Sequence, residues 1–302
     1  MRIIEKIRRL PNKIKRIVLD FSVLKLISQL AHKKELEKYV KYLPKISLED
    51  LNVVESLRQE GAYVTSLQAL EIPSTSLVIA SAEKLLPELL AFPSNEKYVI
   101  SLPLSKLMKY PEIFLWGLQE RLLNIIENYI GLPVLYHGAY FRREIANGKL
   151  IGVRQWHTDV EDHRMVKIIV YLNDVSLNGG PFEYISKNST SLLRQTLQYS
   201  SGFVSDEVIK TLVPTSDWKS CTGGYGTVIF SDTRNLFHRA KPPVAADRFS
   251  ITFFYTSRRP ITIFNKVKLT RDELLGISSR LSRHQRECIL GYRNLFGVTR
   301  TR

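Results

Sequence analysis

The constraint that narrows the fold most is a change of texture at Gly131. From there to Ser257 the chain is a succession of short β-rich runs separated by Gly, Asn, Asp and Pro, the clearest being Met165–Leu172, Gly226–Ser231 and Arg248–Thr256. Many short strands with turn residues between them fold as a sandwich or barrel rather than as a parallel α/β sheet. Upstream, residues 47–60 have helical spacing, "EGAYVTSL" (60–67) looks like a turn entering a strand, and residues 111–130 form an amphipathic pattern with Pro111 near its start, which predicts one helix. Residues 270–296 return to helix. The expectation is an α+β chain with one jelly-roll-like domain over residues 46–302, including the C-terminal helix 270–296, preceded by a basic helical segment 1–45. A length of 302 residues suits one such domain and its flanks.

The formal charge of +15 is concentrated at the ends. Residues 1–45 carry 13 Lys/Arg against 4 Asp/Glu, and residues 258–302 carry 11 against 3. The middle is close to neutral, which argues against a nucleic-acid-binding body. Apolar residues at Ile3, Ile7, Leu10, Ile14, Ile17, Phe21 and Leu24 make a helical stripe that Pro11 should divide, with seven Lys/Arg among the first sixteen residues. A helix docked on the body with a solvated basic face is the plain reading. Peripheral attachment to an anionic membrane is the sharper alternative. Asp20 and Lys25 interrupt the apolar runs before they reach the length of a secretory or spanning segment. Cys221 and Cys288 form neither a disulfide framework nor a zinc pattern. A reducing, cytoplasmic setting is expected, and the oligomeric state is not legible.

Within the β-rich region stands "QWHTDV" (155–160). If it is a strand, residues two apart share a face, so His157 and Asp159 aim a nitrogen and a carboxylate at one point. That pairing suits a divalent metal but needs a third ligand. Of the six histidines, His32 and His284 lie in the basic ends. His163 reads as a solvated loop residue and His137 as a satisfied structural one. His238 follows a convincing strand, 81 residues after His157. Two histidines and a carboxylate leave three adjacent positions open, as in non-haem Fe(II) oxygenases. A buried ion pair or a zinc site would use the same residues. In "RFSITFFYT", Phe249, Ile251, Phe253 and Tyr255 share one face while Arg248, Ser250 and Thr252 begin the other. A guanidinium beside a hydroxyl suits an anion, above all a carboxylate gripped through paired hydrogen bonds. Arg239, next to a ligand, should point away. Gln155 shares the expected face of His157 and is either a co-substrate contact or an orienting core residue. Lys167 reads as a snorkelling surface lysine or, in second place, as a basic site residue.

These stretches, "QWHTDVEDHRMVKIIVYLNDVSLNGGPFEYI" followed by "GTVIFSDT…FHRA…RFS", resemble the Fe(II)/2-oxoglutarate-dependent oxygenases, and within them the phytanoyl-CoA hydroxylase-like branch. The resemblance covers roughly residues 131–258, with "LRQEGAYV" upstream. It implies a double-stranded β-helix, Fe(II) held by His157, Asp159 and His238, and 2-oxoglutarate held by Arg248 with Ser250. It further implies O2-dependent conversion of 2-oxoglutarate to succinate and carbon dioxide, coupled to hydroxylation of a small organic or lipid-like substrate. Related halogenases lack the carboxylate, so Asp159 favours hydroxylation, desaturation or cyclisation. "ISKNSTS" (185–191) departs from the proline-glycine turn of many relatives, in a loop expected to border the pocket. A cupin-like enzyme would more often show H-x-H with a following glutamate. A nucleic-acid dealkylase and a non-catalytic metal-binding jelly roll remain as further alternatives.

Overall fold

The computed structural model describes residues 22–94, 97–262 and 269–289. Among the described residues, nine strands form two antiparallel sheets. In chain order they are β1 (Ala62–Ser66), β2 (Val99–Ser101), β3 (Val134–Glu144), β4 (Met165–Tyr171), β5 (Phe182–Ile185), β6 (Trp218–Cys221), β7 (Thr227–Ser231), β8 (His238–Ala240) and β9 (Arg248–Ser257). The larger sheet has the order β1-β7-β4-β9-β3-β2 and the smaller β6-β5-β8. Helices α1 (Ser22–Tyr39), α2 (Leu48–Gln59), α3 (Thr75–Leu90), α4 (Glu112–Trp116) and α5 (Glu120–Ile130) precede the β body. Helices α6 (Lys187–Thr196) and α7 (Asp206–Lys210) interrupt it, and α8 (Arg271–Ser278) and α9 (Arg283–Cys288) follow it. The antiparallel β body with helical flanks agrees with the texture of the sequence.

Strand alternation gives each face of the large sheet its own task. On β9, Ile251, Phe253 and Tyr255 are fully buried in the main core with residues of α2 to α5. The opposite face turns towards the small sheet, and Ile169, Tyr171 and Ile229 share an apolar cluster there with Phe182 and Tyr184. Burying a Leu, Ile or Phe side chain contributes about 1.5–3 kcal/mol. A one-residue slip of β9 would exchange these faces, so packing pins the register. In that register Arg142 lies opposite Ser250 and Glu144 opposite Arg248 on β3, while Ile169 lies opposite Thr252 on β4.

Three local expectations change. The single helix over 111–130 is two, with a break at 117–119. A Cβ on Gly117 would come within 2.6 Å of Tyr136 Oη and 2.7 Å of Phe253. Tyr255 Oη donates to the Gly117 carbonyl at 2.7 Å. The chain is pressed onto sheet aromatics there, and the ladder gives way. The helix over 270–296 is replaced by α8 and α9, each opened by a capping box, from Thr270 and from Ser282. Residues 290–296 lie outside the described residues. "ISKNSTS" is not a loop: Ser186 caps α6 by accepting from the Ser189 N–H. Lys187 then reaches the Leu57 carbonyl at 2.7 Å and Tyr129 Oη at 3.1 Å, so this segment is tied to α2 and α5. Most of the basic N-terminal stripe, up to Phe21, also lies outside the described residues. Among the described residues no helix is long and apolar enough to cross a membrane.

His137 is structural, as expected, but only half satisfied: among the described residues its Nδ1 is buried without a hydrogen-bond partner. It sits where β3 shifts register against β9, with Nε2 2.7 Å from Thr256 Oγ1 and the ring stacked on Phe254. Burial pulls its pKa down to about 4. Above pH 6.5 it is neutral in both the folded and unfolded chain. Below that the unfolded chain takes the proton and the folded one refuses it, so stability falls between pH 6.5 and about 4. At pH 5 this should cost on the order of 2 kcal/mol relative to pH 7.5. Urea midpoints at the two pH values should therefore lie farther apart for the wild type than for His137→Gln. Equal separations would assign the acid sensitivity to other groups.

Candidate metal and anion site

The segment carrying His157 is less regular than a strand. A single 3-10 turn at Gly152–Arg154 leads into two isolated bridges, Trp156 with Val204 and His157 with His238. The second bridge assembles the site. His157 N–H donates to the His238 carbonyl at 3.1 Å and His238 N–H to the His157 carbonyl at 2.9 Å. A hydrogen-bonded antiparallel pair puts both side chains on one face, and the ring centroids are 4.3 Å apart. Asp159 follows, with its N–H donating to the Thr233 carbonyl at 3.0 Å and its carbonyl accepting from Arg234 at 3.0 Å. One oxygen of Asp159 lies 3.9 Å from His157 Nε2 and the other 3.8 Å from His238 Nε2. One donor atom from each of the three residues falls within 4.8 Å of the others.

The imidazoles are oriented for a cation. His157 Nδ1 lies 2.9 Å from the Gln155 carbonyl and His238 Nδ1 3.1 Å from the Leu236 carbonyl. A carbonyl only accepts, so each Nδ1 bears the proton and each Nε2 turns its lone pair towards Asp159. Burial lowers the pKa of both rings, His238 to about 3, so both are neutral near pH 7. Burial pushes the Asp159 carboxyl up, but the Lys167 ammonium overrides it and holds the group well below the usual range. Lys167 Nζ is 2.6 Å from Asp159 Oδ2. Lys167 is thus a site residue, not a surface lysine.

Beside this cluster the β3–β9 register builds a cationic wall. Arg248, Ser250 and Thr252 line the same chamber as His157, His238 and Lys167. Arg248 Nη1 donates to the Gly180 carbonyl, and Nη2 lies 3.8 Å from Glu144 Oε1. Glu144 in turn meets the fully buried Arg154 at 3.3 Å. Among the described residues, the Nε atoms of Arg248 and Arg142 are both buried without a hydrogen-bond partner. Two orphaned guanidinium donors in the wall of one chamber are costly unless an anion completes them. Arg142 and Glu144 were missed in the sequence, although "YFRRE" carries them; their role depends on pairing with β9.

Of the other residues singled out, Arg239 points away, pairing with Glu183 and Asp206 and stacking on Trp156. The Gln155 side chain does not line the chamber. It stands directly after the 3-10 turn, where strand alternation does not yet hold, and its contribution is the backbone carbonyl that fixes His157. His163 is half-buried rather than solvated, stacked on His32 with centroids 4.2 Å apart.

No protein-family model and no curated protein sequence matches this chain. Solved structures do. EctD from S. alaskensis, solved with 2-oxoglutarate and 5-hydroxyectoine, is 18% identical over 74% of this chain and 82% of its own, with a TM-score of 0.50. HygX from Streptomyces hygroscopicus, solved with nickel and 2-oxoglutarate, is 16% identical over 76% of this chain and 94% of its own, with a TM-score of 0.49. The likeness to EctD is one of fold.

Proposed function

We propose that this chain is an Fe(II)- and 2-oxoglutarate-dependent oxygenase on a double-stranded β-helix, hydroxylating a C–H bond of a small organic or lipid-like substrate. The observation that carries the reading is the convergence of His157 Nε2, the Asp159 carboxylate and His238 Nε2 beside the Arg248–Ser250 wall. The donor set fits the metal: two neutral imidazoles and one carboxylate suit Fe(II) and leave adjacent positions open. Lys167 on Asp159 marks the point where positive charge is wanted. The orphaned Nε atoms of Arg248 and Arg142 fit the far carboxylate of 2-oxoglutarate. The fold shared with EctD, which was solved with 2-oxoglutarate, is consistent with this.

Bound iron would supply the O2 and C–H chemistry. The chain supplies position and dielectric. The Gln155 and Leu236 carbonyls hold the two rings in the tautomer that presents Nε2. Gly180 and Glu144 fix the plane of Arg248 before any ligand arrives, so less freedom is lost on binding. Ile169 and Phe182 give the chamber an apolar side. Phe203, 52% exposed, stands edge-on to the His157 ring at 5.4 Å, and an exposed apolar ring beside a candidate ligand favours a substrate with an apolar portion.

The test is anaerobic loading with Fe(II) and 2-oxoglutarate, followed by admission of O2 across panels of small substrates. Succinate should form in proportion to iron and rise severalfold with a true substrate. Full iron loading with no succinate would favour the non-catalytic binding module, in which the Lys167–Asp159 pair is the resting state.

A further inference from the structure

We propose a second metal site, specific for a Zn2+-class ion, formed by Glu127, His284 and Cys288 on the side of the domain where α9 docks against α5. The three residues offer a carboxylate oxygen, an imidazole nitrogen and a thiol sulfur, all within 4.8 Å of one another. His284 and Cys288 are four residues apart on α9 and therefore share a face of that helix. Glu127 comes from α5, 157 residues away in sequence from His284. A sulfur–nitrogen–oxygen donor set is that of zinc rather than of calcium or magnesium.

The surroundings point to a ligand. Cys288 is fully buried and Glu127 is 3% exposed. His284 Nε2 stands 3.1 Å from Glu127 Oε1, while Nδ1 is 2.6 Å from Glu120 Oε2. A metal-binding histidine typically gives its other N–H to a carboxylate, which sets the tautomer and raises ligand basicity. Glu120 is in that position, and Ser282 Oγ donates to its other oxygen at 2.5 Å. Two carboxylates thus face one imidazole, which holds a proton towards each; an ion that displaced the Nε2 proton would keep positive charge at that point. The partial exposure of His284 and Glu120 leaves an entry path. Binding would expel the Cys288 thiol proton and the proton on His284 Nε2, and the ion would take their place. The same segment is held by Gln285 Nε2, which donates to the Leu118 carbonyl at 2.7 Å, and by the bridge between Ile289 and Tyr136. A metal there would fasten α9 to the helical side of the sheet.

The probe is Co2+ added anaerobically to the reduced full chain, read by the thiolate-to-cobalt charge-transfer band. The candidate iron site contains no sulfur and cannot give that band. Two equivalents of Co2+, enough for both clusters, should produce it in the wild type and in Cys221→Ser, one equivalent should suffice in His238→Ala, and Cys288→Ser should lose it. No band in the wild type, or the same band in Cys288→Ser, would overturn the site. Glu120→Gln leaves all three ligands in place and should weaken Co2+ by about 10–100-fold, as loss of an outer carboxylate does. Unchanged affinity in that variant would overturn the orienting role given to Glu120. A variant that folds poorly is bypassed by His238→Ala, in which the other metal cluster is broken and the melting temperature should still rise with Zn2+. No rise would count against the proposal.

Discussion

His238→Ala should lose Fe(II) in an anaerobic titration by more than about 100-fold, beyond the upper end of what loss of an outer-sphere partner costs. The reason is specific to this site. With His238 gone, His157 and Asp159 remain, and Lys167 is already 2.6 Å from the Asp159 carboxylate. A metal held by two donors must then displace an ion pair that needs no metal. His157→Ala and Asp159→Ala should behave alike. His238 contributes to the β bridge through its backbone, which alanine preserves, so circular dichroism should show the fold intact. His163→Ala is the control and should bind iron normally, because its ring lies against His32. Stoichiometric tight binding by His238→Ala would sink the triad.

The second large effect is expected at Arg248. Followed by the metal-to-ligand charge-transfer band, Arg248→Lys should weaken 2-oxoglutarate by roughly 10–150-fold, the equivalent of one charge-assisted hydrogen bond at about 1.5–3 kcal/mol. Iron binding should be unchanged. Lysine keeps the charge but loses the planar fork and the Nε–H that has no protein partner. It also cannot reproduce the contacts to Gly180 and Glu144 that fix the guanidinium plane. Affinity equal to the wild type would move the anchor to Arg142, the other orphaned donor of the wall.

Much of the candidate site was legible because its logic is local. The period of two along β9 separates Arg248, Ser250 and Thr252 from Ile251, Phe253 and Tyr255, and that division is the one between chamber and core. His-x-Asp needs only an extended backbone to bring its two side chains together. Even the exclusion of Arg239 followed from its being next to a ligand. Neighbouring residues on a pleated chain carry this information whatever the rest of the molecule does.

What only the tertiary structure decided depends on partners distant in sequence. Arg142 came to line the chamber beside Ser250 because β3 pairs with β9 in one register. Lys167 became the partner of Asp159 because β4 brings its ammonium to a buried carboxylate, where Coulomb attraction outweighs the solvation a surface lysine keeps. The helix over 111–130 broke because Tyr136, Phe253 and Tyr255 converge on Gly117 from strands the helix pattern does not contain. Cys288 and His284 met Glu127 for the same reason, across a gap no motif spans. By itself the sequence determined which face each strand residue shows, because that follows from backbone geometry. The fold decided which residues meet, because pairing depends on closing long loops whose entropy is offset only by the packing of the whole.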